Sequence, residues 1–189
     1  DYPCDLYFEG SDQYRGWFNS SLIVSTAVNG TAPYREVLSH GYVCDSKGEK
    51  MSKSVGNVVN PMDIINKNGA DVFRLWAMTS DFKEDLKLGP SNIKQVSDQY
   101  RKVRNTFRFL LGNLNAADFD PKKDMVSYEN LEPVDQYIMI ELNRVIEKTV
   151  SSVLEYDYID ANKTLVNFMT NELSSYYCDF TKDILYCSA

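Results

Sequence analysis

Long apolar runs are missing from this 189-residue sequence. No stretch of 18 or more hydrophobic residues occurs, so no segment is suited to cross a bilayer as a helix. Histidine is almost absent: His40 is the single one. The cysteines, Cys4, Cys44, Cys178 and Cys187, include no CxxC pair, which excludes a zinc site of the usual ligand spacing. Four cysteines in a chain of this length also make no disulfide framework, and they read as reduced thiols. Positive charge is in deficit. The 20 Lys and Arg stand against 27 Asp and Glu, a net charge of -7. That balance excludes a generally basic, DNA-coating surface and leaves RNA contact to a local patch. Asp1-Tyr2-Pro3-Cys4-Asp5 has no apolar stretch and no initiator Met, and Tyr186-Cys187-Ser188-Ala189 stops on a helical pattern without a cap. These ends are expected of a piece of a longer protein.

What is present is a composition 43% hydrophobic and 13% aromatic, enough for a packed core. Two halves differ in pattern. Residues 1–90 mix short apolar runs with turn signals. Asp5–Glu9 reads as a strand ended by Gly10, and a helix follows from about Gln13 to Val28, with Ser11 or Asp12 as its cap and Asn29-Gly30 as its stop. Tyr34–Cys44 is strand-like but interrupted at Ser39-His40-Gly41, and Asp45-Ser46-Lys47-Gly48 is a turn. Pro61, capped by Asn60, opens a short helix, and Ala70–Met78 is another. Residues 91–189 carry three long helical patterns. The first has Ile93, Val96, Tyr100, Val103, Phe107, Leu110 and Leu114 at spacings of 3 and 4, broken by Asn113, Asn115 and Asp118. Pro133 starts the second, with Leu142, Val145, Ile146, Val150 and Val153 on one face. Asp157 caps the third, and its aromatics recur at helical spacing, as core residues do. The fold class is therefore mixed α/β followed by an α-helical bundle.

Chemistry concentrates in three places. Gly48-Glu49-Lys50-Met51-Ser52-Lys53-Ser54-Val55-Gly56-Asn57 sets two ammonium groups and two hydroxyls in a pliable loop. Such donors can fold over a polyphosphate and stabilise the charge that develops on leaving pyrophosphate. Glu9-Gly10-Ser11-Asp12-Gln13 sits where a strand ends and a helix begins, the position at which open α/β sheets hold ligands. Carboxylates there accept from ribose hydroxyls, and Gln13 both donates and accepts; a simple helix cap is the competing reading. Arg101, Arg104 and Arg108 lie within about 60° of one another on a helix, with Lys102 adjacent, the densest basic cluster of an acidic chain. A solvated face or an RNA contact would each account for it.

The Lys50–Ser54 segment resembles, letter for letter, the KMSKS signature of class I aminoacyl-tRNA synthetases. Its surroundings agree: His40-Gly41, Val55-Gly56-Asn57-Val58-Val59, Pro61, Gly69-Ala70-Asp71 and Arg74-Leu75. Glu9–Phe18 is similar to the EGSDQ-x-RGWF segment of the isoleucine-specific branch, though Tyr14 stands where many members have His. The resemblance implies the C-terminal part of a Rossmann-like nucleotide-binding core in residues 1–90 and the start of a helical anticodon-binding domain in 91–189. It implies that the parent, a cytoplasmic monomer, joins isoleucine to tRNA(Ile) using ATP with Mg2+. Lys53 would contact the phosphates, assisted by Lys50 and Ser52. Glu9, Gly10, Asp12 and Gln13 would hold the adenylate, with His40 on the adenosine side. Arg101, Arg104 and Arg108 would meet tRNA. No general base is required, because the attacking carboxylate is already ionised. The family's HIGH motif does not occur here, nor do its editing insertion and C-terminal zinc region. This segment alone is therefore expected not to activate isoleucine. A noncatalytic RNA-binding module, or the valine-specific relative, remains the alternative.

Overall fold

Tyr7 explains how the first strand is held. Strand β1 (Cys4–Gly10) turns it onto helix α1 (Trp17–Asn29), where its ring stacks on Trp17 at 4.2 Å between centroids and lies 6.0 Å from Phe18. Phe18 is buried beneath. The next residue, Phe8, points to the opposite face, as the two-residue period of a strand requires. Helix α1 returns the chain to strand β2 (Tyr34–His40), which pairs parallel with β1 from Cys4↔Tyr34 to Gly10↔His40. This is a βαβ crossover, the unit from which nucleotide-binding sheets are built.

The computed structural model describes residues 2–114 and 119–187. The chain divides into two units, Asp1–Lys67 with Ser80–Asn92, and Asn68–Thr79 with Ile93–Ala189. In the first unit, β3 (Val43–Cys44) follows β2 after Gly41-Tyr42 and pairs parallel with β4 (Leu86–Lys87). The interruption expected at Ser39-His40-Gly41 thus falls slightly later, and β4 was not foreseen at all. Gly41 is required there. A Cβ on it would lie 2.3 Å from the carbonyl oxygen of Glu84.

Helix α1 begins later than the sequence pattern suggests. Residues Ser11–Arg15 form a 3-10 turn, and the Trp17 amide N–H donates to Gln13 Oε1 at 3.0 Å. Gln13, rather than Ser11 or Asp12, satisfies that helix end. The far end follows expectation: Gly30, at φ 69°, donates its N–H to Thr26 O. Helix α2 (Pro61–Asn68) is capped by Asn60, whose Oδ1 accepts from Met62 N–H at 3.0 Å.

In the second unit, α3 (Ala70–Met78) buries Val72 and Trp76. Helix α4 (Pro90–Leu114) opens at the edge of the first unit and buries Ile93, Val96 and Thr106 in the second. Val103 packs against the cluster of Ile138, Phe168 and Met169, but Phe107 and Leu114 of the expected seam are exposed. The expected breakers Asn115 and Asp118 lie outside the described residues. Helix α5 (Pro133–Leu154) contributes Ile138, Leu142 and Val145 to this core, while Ile146, Val150 and Val153 face outward. Asp157 caps α6 (Tyr158–Asn167), accepting from the Asp160 N–H at 3.0 Å. The helical path continues through a π-helical stretch, Phe168–Cys178, into α7 (Asp179–Cys187). Along it, Thr170 donates to Val166 O at 2.7 Å and Ser175 to Thr170 O at 2.8 Å. Phe168 and Cys178 are buried, but Tyr176, Phe180 and Tyr186 are not. Core packing thus claims only part of the aromatic stretch.

Candidate functional site

The parallel register brings the ends of β1 and β2 side by side. Glu9 is level with Ser39, and Gly10 with His40. Gly10 is buried, and a Cβ there would meet Asp12 Oδ1 at 2.7 Å and the His40 ring at 3.7 Å, so Asp12 and His40 flank one point of bare backbone. His40 Nδ1 lies 2.8 Å from Gly41 O. A carbonyl can only accept, so Nδ1 carries the proton and Nε2 is left as an acceptor in the neutral ring. Phe8 meets the imidazole edge-on at 5.1 Å. Gln13 Nε2 donates to Asp12 Oδ2 at 3.2 Å, and its oxygen is occupied by Trp17 N–H. Tyr14 donates to Ser39 Oγ at 3.3 Å, tying the 3-10 turn to the end of β2. Glu9, Gly10, Asp12, Gln13 and His40 are therefore gathered at the carboxyl end of the sheet.

The loop after β3 has its own frame. Asp45 Oδ1 accepts from the N–H groups of Lys47 and Glu49, both at 2.9 Å. Its Oδ2 accepts from Asn57 Nδ2 at 3.0 Å. Asn57 in turn accepts from Ser52 N–H at 2.9 Å and donates to Lys50 O at 3.3 Å. These bonds hold the Asp45 carboxyl below the usual carboxylate range, the Asn57 amide foremost and the Glu49 N–H next. Ser52 Oγ accepts from Val55 N–H at 3.3 Å and lies 3.1 Å from Ser54 Oγ, so this hydroxyl serves the turn itself. Gly56, at φ 73°, closes the loop with its N–H on Ser52 O. Lys53 is exposed.

Tyr42 joins the two groups of residues, and the sequence had not singled it out. Lys50 Nζ sits 4.5 Å over its ring, a cation–π distance. Partial burial pushes its phenol pKa up, and the charge and hydrogen bond of Asp12 add to this. Lys50 and Asp12 thus share Tyr42 as a neighbour. The only sequence signal for it was an aromatic two residues after His40.

The basic cluster lies in the second unit. Arg101, Arg104 and Arg108 are all exposed on α4, as a surface patch requires. Arg101 is paired with Asp98 at 3.2 Å, which spends part of its charge locally. Beside the patch, Lys102, Asn105, Phe109, Ser174, Cys178 and Lys182 are among the residues lining a hollow of mixed polar and apolar character. Among the described residues no group of three or more His, Cys, Asp and Glu is arranged to hold a metal ion. No helix of the described residues is long and apolar enough to cross a membrane.

Residues 1–89 match the family described as tRNA synthetases class I (I, L, M and V), and residues 135–189 match the anticodon-binding domain of tRNA ligase. The chain is 52% identical over its full length to an isoleucine–tRNA ligase of Lactiplantibacillus plantarum, and 54% identical over 97% of its length to one of Bacillus licheniformis. It spans about a fifth (20%) of the length of each of these curated relatives. Among solved structures, a leucyl-tRNA synthetase of Agrobacterium radiobacter K84, in a ternary complex with tRNA and LeuAMS, matches 91% of this chain and 23% of its own, with a TM-score of 0.74 and 22% identity. A methionyl-tRNA synthetase of Mycobacterium tuberculosis, in complex with methionyl-adenylate, matches 99% of this chain and 36% of its own, with a TM-score of 0.73 and 18% identity. At those identities the two structures speak to the fold alone: part of a Rossmann-like core followed by helices.

Proposed function

From its place among the class I tRNA synthetases, to which this chain belongs, we propose that it is the part of an isoleucine–tRNA ligase that grips the nucleotide and opens the anticodon-binding domain. The whole ligase would condense isoleucine with ATP and pass the isoleucyl group to tRNA(Ile). In the first step an isoleucine carboxylate oxygen attacks the α-phosphorus of ATP, the α–β bridging bond breaks, and pyrophosphate leaves; Mg2+ would enter with ATP as part of that substrate. Lys53 and Lys50 supply cationic donors to the departing phosphates, with Ser52 holding the loop that carries them. Glu9 and Asp12 accept from the ribose hydroxyls, Gly10 gives the close approach, Gln13 sits toward the aminoacyl carbonyl, and His40 lines the adenosine side. Catalysis here is placement and charge stabilisation, which suits a reaction whose attacking carboxylate is already ionised and requires no general base. Arg104 and Arg108, with Arg101 in a lesser part, face tRNA. Residues 1–90 belong to the catalytic core and 91–189 to the helical domain of a monomeric, cytoplasmic enzyme.

One observation carries the reading: the match to isoleucine–tRNA ligases, at 52–54% identity, covers 97–100% of the chain and so spans both of its halves. The gathering of Glu9, Gly10, Asp12 and His40 at the sheet end supports it. So does the exposure of Leu6 and Phe8 on β1, since parallel strands ordinarily carry cover on both faces, as they would within a larger sheet. The test is amino-acid-dependent exchange of pyrophosphate into ATP by the full-length protein carrying this segment. Isoleucine should support exchange far better than valine. Preference for valine would assign the valine-specific relative, and exchange with no amino acid would leave an RNA-binding module.

A further inference from the structure

Asp45 and Asn57 are twelve residues apart and neither is among the groups that would touch a nucleotide, yet both side chains are fully engaged. Asp45 follows directly on Cys44, which is buried and paired to β4, so it is fixed to the β3–β4 ladder. From there its carboxylate reaches two backbone amides of the 45–49 turn and the Asn57 amide. Asn57 passes the anchorage on. It grips the loop at the carbonyl of Lys50 and at the N–H of Ser52, the residue before Lys53. Beside the antiparallel bridge that already pairs Lys50 with Cys44, this side-chain link carries the anchorage on to Ser52, directly before Lys53. A ten-residue stretch containing two glycines would otherwise lose much conformational freedom on closing over a ligand.

We propose that Asp45 and Asn57 form a clasp that sets Lys50 and Lys53 in position for phosphate contact, as positioning residues for the activation step. The inference rests on the reading of the loop given above. It predicts a particular logic of substitution, because the link has a direction: Asn57 donates and Asp45 accepts. Asp45→Asn sets one amide NH2 against another. Asn57→Asp sets two carboxylates against each other. The double substitution reverses the link and restores it. It keeps acceptors for the N–H groups of Lys47, Glu49 and Ser52, while at Lys50 O the 3.3 Å bond is replaced by a carboxylate oxygen facing a carbonyl.

The experiment is pyrophosphate exchange by the full-length protein as wild type, both single variants, the double variant and Lys53→Ala. Each single variant should lose about ten-fold in kcat/KM for ATP, the worth of one charge-assisted hydrogen bond, with KM for isoleucine unchanged. The double variant should return to within about three-fold of wild type. Losses that multiply in the double variant, or that appear equally in KM for isoleucine, would overturn the clasp. Wild-type rates in the single variants beside a slow Lys53→Ala would overturn the clasp alone. A wild-type rate in Lys53→Ala would remove the loop reading and the clasp with it.

Discussion

Gly41→Ala adds one methyl group at the hinge between His40 and Tyr42, and the structure gives it nowhere to go. The Cβ would fall 2.3 Å from Glu84 O, 2.4 Å from Glu84 C and 2.8 Å from Asp85 N. Relief to ordinary contact needs roughly 1 Å of backbone movement. The two segments are not free to part. Gly41 N–H donates to Phe82 O at 2.9 Å, Tyr42 N–H to Asp85 Oδ1 at 2.7 Å, and Leu86 N–H to Tyr42 O at 2.7 Å. Overpacking alone costs about 1–3 kcal/mol, and loss of one such bond adds about 1 kcal/mol, so a destabilisation of about 2–4 kcal/mol is expected. The two tryptophans allow a local assay, because Trp17 lies in the first unit and Trp76 in the second. Urea unfolding followed by Trp17 fluorescence in a Trp76→Phe background should show the loss. Gly112→Ala, in the second unit and followed by Trp76 fluorescence in a Trp17→Phe background, is the contrasting case. Its Cβ meets nothing within 4 Å, it lies within α4, and the same substitution should stabilise by about 0.5–1 kcal/mol. A Gly41→Ala midpoint equal to wild type would refute the steric argument.

Lys148 and Asp160 join α5 to α6 at 2.6 Å, and Ser152 donates to the same carboxylate at 2.7 Å. The Lys148 ammonium, then Ser152, pull the Asp160 pKa down, and Asp160 raises that of Lys148. A depressed carboxylate contributes stability above its ordinary value, about 3.9, and loses it as pH falls through the folded one. The unfolding gap between wild type and Asp160→Asn should therefore be present at pH 7 and shrink toward pH 3; a constant gap would argue against the pair. On the RNA side, Arg104→Ala and Arg108→Ala should each lower the slope of log affinity for tRNA against log salt by about 1, and Arg101→Ala by less, because Asp98 already shares its charge. Filter binding of the full-length protein over a salt series measures this, and three equal slopes would contradict it.

The helices were legible because their signals are local. Asn60 before Pro61, Asp157 before Tyr158 and Gly30 after Asn29 each act on amides or carbonyls within four residues, and each does in the structure what its position predicts. The start of α1 was misread although its bond, Trp17 N–H to Gln13, spans only four residues; the other misreadings depend on partners far away in sequence. Strand β4 is two residues long and exists because Tyr42 and Cys44 offer carbonyls to Leu86 and Leu88. The seam of α4 has the right period at Phe107 and Leu114, but period says which face is apolar and not whether anything covers it. At the site, the Glu9–Gln13 segment and His40 could each be picked out by chemistry, whereas their meeting depends on the parallel register. Asp45 was visible as a turn former. Its hold on Asn57 was not, since nothing local distinguishes an Asn that caps a turn from one that reaches back twelve residues.

The account stands most directly on Lys53. In the full-length protein, Lys53→Ala should slow isoleucine-dependent exchange of pyrophosphate into ATP by roughly 10²–10³ in kcat, the cost of removing one well-placed donor to developing charge, with a much smaller change in KM for isoleucine. An unchanged exchange rate would contradict the claim that this loop serves the phosphates.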